Sequence, residues 1–176
     1  MTRIFLIGYM GSGKTTYGRA AAKALGLSFL DLDIYIEERF FKSVSDIFAE
    51  KGEDGFRKIE QHMLHEAAMF EDVLIACGGG TPCFFDNMDF MNAEGTTVYL
   101  KSSAETLVGN LKNARQNRPL LRDKTETELL QYIRENLEKR EPFYLQAQKT
   151  IDCDDQPENV IKKLVNEIKI AKNLQL

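Results

Sequence analysis

Short, largely apolar runs alternate along this chain with longer stretches of helical periodicity. The runs fall at Ile4–Ile7, Phe29–Leu32, Val73–Cys77, Thr97–Leu100 and Thr150–Cys153. Runs of this length predict strands, and those apolar throughout predict strands buried on both faces. Between them, Phe56, Ile59, Met63, Ala67 and Phe70 recur at helical spacing, as do Val160, Ile161, Leu164, Val165 and Ile168. Each set predicts a core-facing helical stripe. An alanine-rich helix beginning at Lys14 stops at Gly26, a residue that readily takes the left-handed turn ending a helix. Strands alternating with helices predict an α/β fold built from βαβ units around a parallel sheet.

One segment breaks the pattern. From Lys112 to Glu128 the chain is polar and charged, contains Pro119, and shows little apolar periodicity until Leu129. Such a stretch within a compact domain predicts a functional loop, and a flexible lid has this composition.

The 176 residues suit one domain, 1–176, with no repeat, low-complexity tract or long linker. A net charge of −4 argues against a nucleic-acid partner held by a global positive field. It leaves room for a local basic pocket that takes a small anion. No run approaches the roughly 18–20 apolar residues of a membrane span. The apolar start, Ile4–Ile7, leads into glycine without a small-residue cleavage site, so it predicts a strand and not a signal peptide. Cys77, Cys83 and Cys153 have no metal-ligand spacing and predict reduced thiols in the cytoplasm.

The candidate chemistry starts at the first strand. Gly8-Tyr9-Met10-Gly11-Ser12-Gly13-Lys14-Thr15 fits the pattern G-x-x-x-x-G-K-S/T between a predicted strand and a predicted helix. Glycines let backbone N–H groups close round phosphate oxygens, and the helix N-terminus adds its positive dipole end. Lys14 would place an ammonium on the β- and γ-phosphates, and Thr15 would offer a hydroxyl to Mg2+. ATP is therefore the expected nucleotide.

Two further loops follow predicted strands. Asp31-Leu32-Asp33 ends the second, and strand alternation would turn both carboxylates to the same crevice. One would serve Mg2+, directly or through water, and the other would orient an attacking hydroxyl. Gly78-Gly79-Gly80 follows the third strand, where bare backbone would let a ligand approach closely. That strand ends without the acidic residue of a motor ATPase. Arg57, Arg118 and Arg140 complete the set, because a guanidinium fork suits carboxylate and phosphate.

Taken together, these motifs resemble the shikimate kinase family from residue 3 to about 168. The resemblance rests on Gly8–Thr15, Asp31-Leu32-Asp33, Phe56-Arg57-x-x-Glu60, Gly78-Gly79-Gly80-Thr81-Pro82, Arg118-Pro119-Leu120-Leu121 and Arg140-x-Pro142-x-Tyr144. It implies a P-loop three-layer sandwich with a central five-stranded parallel sheet. A helical substrate-binding region would cover about 33–62 and a lid about 112–124. It further implies transfer of the γ-phosphoryl of ATP to the 3-hydroxyl of shikimate, a step towards aromatic amino acids, by a monomer. By matching position, Gly11, Ser12, Gly13, Lys14, Thr15, Thr16 and Arg118 would hold ATP, with Gln156 in the adenine loop. Thr15 and Asp31 would support Mg2+. Asp33, Arg57, Gly79, Gly80 and Arg140 would bind shikimate. Lys14, Asp33 and Arg118 would carry the catalysis.

The chain departs from the family at Asn110 and Leu111, where many members carry an arginine that stacks on adenine. Lys112 or Arg115 would then supply that contact, or the hold on adenine would be weaker. Two other readings stay open: a kinase of the same architecture for nucleoside monophosphates or gluconate, and a non-catalytic nucleotide-binding regulator.

Overall fold

The computed structural model describes residues 1–113 and 124–174. Five strands form one sheet in the order β2-β3-β1-β4-β5: β1 Arg3–Ile7, β2 Ser28–Asp31, β3 Val73–Ala76, β4 Thr96–Lys101 and β5 Lys149–Asp152. Every neighbouring pair is parallel; Phe5, for example, lies opposite Ile75 on one side and Thr97 on the other. All five predicted strands are present within a residue or two of their expected ends.

Among the described residues, seven α-helices cover the sheet: α1 Lys14–Leu25, α2 Leu32–Phe40, α3 Val44–Ala67, α4 Asn87–Glu94, α5 Ala104–Asn113, α6 Glu126–Tyr144 and α7 Pro157–Leu174. Alternation along β1 divides the core in two. Ile4 and Leu6 pack with Ala21 and Ala22 of α1 and with Val160, Leu164 and Ile168 of α7. Phe5 and Ile7 face the other layer, against Leu32, Phe56, Met63, Leu107 and Leu129 from α2, α3, α5 and α6. Burying such a side chain contributes roughly 1.5–3 kcal/mol, which is why these runs are apolar throughout. The result is the expected three-layer α/β sandwich.

One helical expectation needs correction. Phe70 leaves the α3 stripe and is exposed at 46%, because α3 ends at Ala67 and the chain turns there. Arg57 lies well inside α3, past a kink at Gly52 with φ 69° and ψ 179°. The polar segment is also shorter than its composition suggests. α5 continues to Asn113, and Thr125 opens α6 through a reciprocal cap with Glu128.

The chain builds β2 and β3 on one side of β1, then β4 and β5 on the other. The loops leaving β1, β2 and β3 therefore meet beside the point where strand order reverses, the usual ligand crevice of an open parallel sheet.

Candidate active site

The loop from Gly8 to Gly13 joins β1 to α1. Gly13 caps the helix at φ 88°, in the left-handed region that favours glycine. A β-carbon there would lie 2.4 Å from the Tyr17 ring, so a larger residue would meet a wall as well as strain. Lys14 Nζ donates to the carbonyls of Gly8 at 2.8 Å and Tyr9 at 2.9 Å, which holds the ammonium inside the loop. Helix N-terminus, backbone amides and ammonium together make an anion site.

Asp31 and Asp33 both line the cavity above this loop, but not for the reason alternation offered. Asp31 ends β2 and caps α2, its carboxylate accepting from the amides of Asp33 and Ile34; Asp33 already lies in the first helical turn. A helix start brings residues i and i+2 to one crevice here where an extended strand would have ended. Asp31 Oδ2 also accepts from the Thr15 hydroxyl at 2.7 Å, so the two residues expected to serve Mg2+ are in direct contact. Asp33 is open to the water of the cavity, which tempers its desolvation. Its carboxyl is still pushed up to about 6, chiefly by the surrounding protein, with the Asp31 and Glu60 carboxylates adding to the effect.

The opposite wall is built on Arg57. Arg57 Nη1 donates to Glu60 at 3.0 Å, and the guanidinium lies 4.1 Å from the Phe84 ring centroid. Its Nε is buried without a protein partner. Glu60 also accepts from the Thr81 hydroxyl at 2.6 Å, which ties the arginine to the glycine triplet. A β-carbon on Gly80 would stand 2.7 Å from both terminal guanidinium nitrogens, so the bare backbone leaves room for the arginine.

Arg140, on α6, sits above the Tyr9 ring at 5.4 Å. The Tyr144 hydroxyl lies beside its guanidinium and donates to the carbonyl of Gly79 at 2.6 Å. Burial opposes the charge on Arg140, but the neighbouring Tyr144 and Tyr9 hydroxyls outweigh it and its pKa rises.

These groups share one cavity of ≈ 650 Å³, lined by Gly11, Gly13, Lys14, Thr15 and Thr16 at one end and by Asp33, Arg57, Gly79, Gly80 and Arg140 at the other. Ser12, buried within the loop, and Gln156 are not part of its lining; Pro157, beside Gln156, is. Arg118 and Arg115 lie outside the described residues. Sequence reasoning gave no role to Glu60, Tyr144 or Tyr9. All three stood in the quoted motifs, but their partners are set by tertiary packing and could not be read from spacing.

A protein with these features can hold a nucleotide's phosphates at one end and an anionic, hydroxylated molecule at the other. The shikimate kinase family model matches residues 10–169. The chain belongs to the shikimate kinase family. A shikimate kinase of Parabacteroides distasonis is 60% identical over 154 residues, spanning 88% of this chain and 89% of its own length. One from Bacteroides fragilis is 51% identical over 178 residues, covering 100% of this chain and 99% of its own. The crystal structure of shikimate kinase from Bacteroides thetaiotaomicron superposes with a TM-score of 0.91 at 49% identity, covering 96% and 98% of the two chains. That of the Acinetobacter baumannii shikimate kinase in complex with shikimate gives 0.85 at 34% identity, covering 96% and 93%. A gluconokinase from Sinorhizobium meliloti shares the fold, with a TM-score of 0.67 at 19% identity. As an ATP-dependent shikimate kinase, the chain departs from motor ATPases of the same superfamily, and β3 feeds a glycine triplet in place of an acidic residue.

Proposed function

We propose that this protein transfers the γ-phosphoryl group of ATP to the 3-hydroxyl of shikimate, giving shikimate 3-phosphate and ADP in aromatic amino acid biosynthesis. One observation carries the reading: a single cavity joins the phosphate loop to two arginines and an aspartate. An acid with several hydroxyls needs a guanidinium fork, a hydroxyl acceptor and a close backbone wall. Arg57, Arg140, Asp33 and the Gly79-Gly80 backbone supply these.

The mechanism follows from position and charge. Gly11, Ser12, Gly13 and Thr16 hold the phosphates with Lys14, whose ammonium turns from the loop carbonyls to the β- and γ-oxygens and offsets charge there. Arg57 and Arg140 fix the acid's carboxylate, which sets its 3-hydroxyl in line with the γ-phosphorus. Asp33 orients that hydroxyl and accepts its proton late in the transfer. Arg118, outside the described residues, is assigned to the phosphates, where a guanidinium would offset charge developing in the transfer. Gln156 and the loop around it flank the nucleotide's base.

The Thr15 hydroxyl and Asp31 carboxylate fit Mg2+, since hard oxygen donors from one or two side chains suit an ion that arrives with nucleotide phosphates. Bound there, the ion neutralises phosphate charge and fixes the γ-phosphoryl geometry. We read the chain as one kinase domain, with residues 33–62 forming the acid side of the site. No described helix is long and apolar enough to cross a membrane, and all three cysteines are free. We read the protein as a cytoplasmic monomer.

The test is ADP release measured with shikimate, gluconate and AMP as separate acceptors. Turnover that depends on shikimate alone is expected. Preference for gluconate or AMP would replace the reading with a related kinase, and ATP binding without turnover would favour a regulator.

A further inference from the structure

The phosphate loop is gripped from outside by the last turn of α5. Asn110 Nδ2 donates to the carbonyl of Gly11 at 2.8 Å, across 99 positions of sequence. A carbonyl only accepts, so the amide nitrogen must face the loop. Leu111, the next residue and buried, supports the same glycine: a β-carbon on Gly11 would lie 2.9 Å from its Cγ. Gly11 itself has φ 83°, so a larger residue here would be strained as well as crowded.

A loop that aims its N–H groups at phosphate must place its carbonyls elsewhere. Those of Gly8 and Tyr9 receive the Lys14 ammonium within the loop, and that of Gly11 receives Asn110 from outside it. The glycine-rich chain carries a large conformational entropy when unrestrained. A fixed donor on a rigid helix narrows it before the nucleotide arrives, and ligand affinity scales with the fraction of loop already in the binding shape.

We propose that Asn110 is a positioning residue for nucleotide binding, which acts through Gly11 by holding the phosphate loop in its accepting shape. The proposal rests on the kinase reading above. It gives Asn110 no direct contact with base or ribose, although the side chain does line the cavity.

Inorganic tripolyphosphate separates the two roles, because it offers phosphates without base or sugar. Its inhibition constant against ATP is measured for the wild type, Asn110→Ala and Asn110→Asp, together with the KM of ATP and of shikimate. Asn110→Asp sets a carboxylate against the Gly11 carbonyl and removes the donor. In both variants the tripolyphosphate constant and the ATP KM should rise by the same factor, about 2- to 13-fold, the equivalent of one net hydrogen bond. The shikimate KM should stay within about twofold, a pattern that general loosening of the fold would not give. A rise for ATP with no change for tripolyphosphate would mean direct base or ribose contact and overturn the proposal. Unchanged constants for both, or an equal rise for shikimate, would also overturn it. Wild-type turnover is measured in the same assay, so a failed kinase reading shows in the wild type and a failed anchor only in the variants.

Discussion

Arg57 donates to Glu60 at 3.0 Å in the wall of the cavity, with Glu60 only 1% exposed. The same carboxylate accepts from Thr81, so one buried charge aligns both an arginine on α3 and the loop after β3. Removing one partner of a buried pair costs about 3–5 kcal/mol, lessened here by the exposed Glu53, which also pairs with Arg57 at 3.4 Å. Glu60→Ala should therefore lower the urea midpoint markedly and raise the KM of shikimate at least tenfold, with the KM of ATP little changed. Denaturation and steady-state kinetics check both. Unchanged shikimate kinetics in a destabilised variant would show that Arg57 does not depend on Glu60 for its position.

Gly80→Ala is a narrower probe of the same wall. Gly80 has φ −91°, so alanine fits the backbone, yet its β-carbon would push the Arg57 guanidinium aside from 2.7 Å. The expected result is a higher KM for shikimate, by about tenfold, the scale of one weakened charge-assisted hydrogen bond. Gly109→Ala, on α5 with nothing within 4 Å of the added carbon, serves as the control. It should stabilise the protein by about 0.4–1 kcal/mol through the unfolded chain, without changing the shikimate KM.

The pH dependence follows from Asp33. Its carboxyl titrates near 6 in place of an ordinary 3.8, so kcat/KM for shikimate should fall below about pH 6 as this acceptor takes a proton. Asp31→Asn removes one of the charges that raise it and should move the acidic limb to lower pH. Stability runs the other way. The folded protein keeps a proton that the unfolded chain releases between about pH 4 and 6. The Asp33 contribution is thus fully present below pH 4 and is lost as pH rises through 6. Asp33→Asn should gain stability over the wild type above pH 6 and none below 4, while phosphoryl transfer drops. Melting curves across pH test the first statement, and wild-type transfer by the variant would refute the assigned role.

Tyr144 offers a further check. Its hydroxyl donates to the Gly79 carbonyl beside Arg140, so Tyr144→Phe should raise the KM of shikimate by about 2- to 13-fold, one net hydrogen bond. The ATP KM should hold. An equal change in both constants would make Tyr144 a general support of the fold and not a link between the two acid-binding elements.

Legibility followed physical scale. Ile4–Ile7 and Val73–Cys77 were readable as strands because burial on both faces demands continuous apolar side chains, and Gly13-Lys14-Thr15 because phosphate binding is local to one turn. Asp31 and Asp33 were assigned to the right crevice through the wrong geometry: the strand ends at Asp31 and its carboxylate starts a helix. Phe70 followed a helical period that the chain abandons at Ala67. The Glu60–Thr81, Tyr144–Gly79 and Asn110–Gly11 bonds join residues 21, 65 and 99 positions apart, and spacing carries no information about such pairs. Arg118, expected on the phosphates, lies outside the described residues.

On the proposed function, this cavity recognises a carboxylate with two arginines while presenting a hydroxyl to ATP. Comparing kcat/KM for shikimate with that for its methyl ester, in the wild type and in Arg57→Ala and Arg140→Ala, tests it most directly. Loss of the charge should cost the wild type at least about 100-fold, since two charge-assisted hydrogen bonds at roughly 1.5–3 kcal/mol each amount to about 3–6 kcal/mol, and each variant should discriminate far less between acid and ester. Equal use of acid and ester by the wild type would contradict the account.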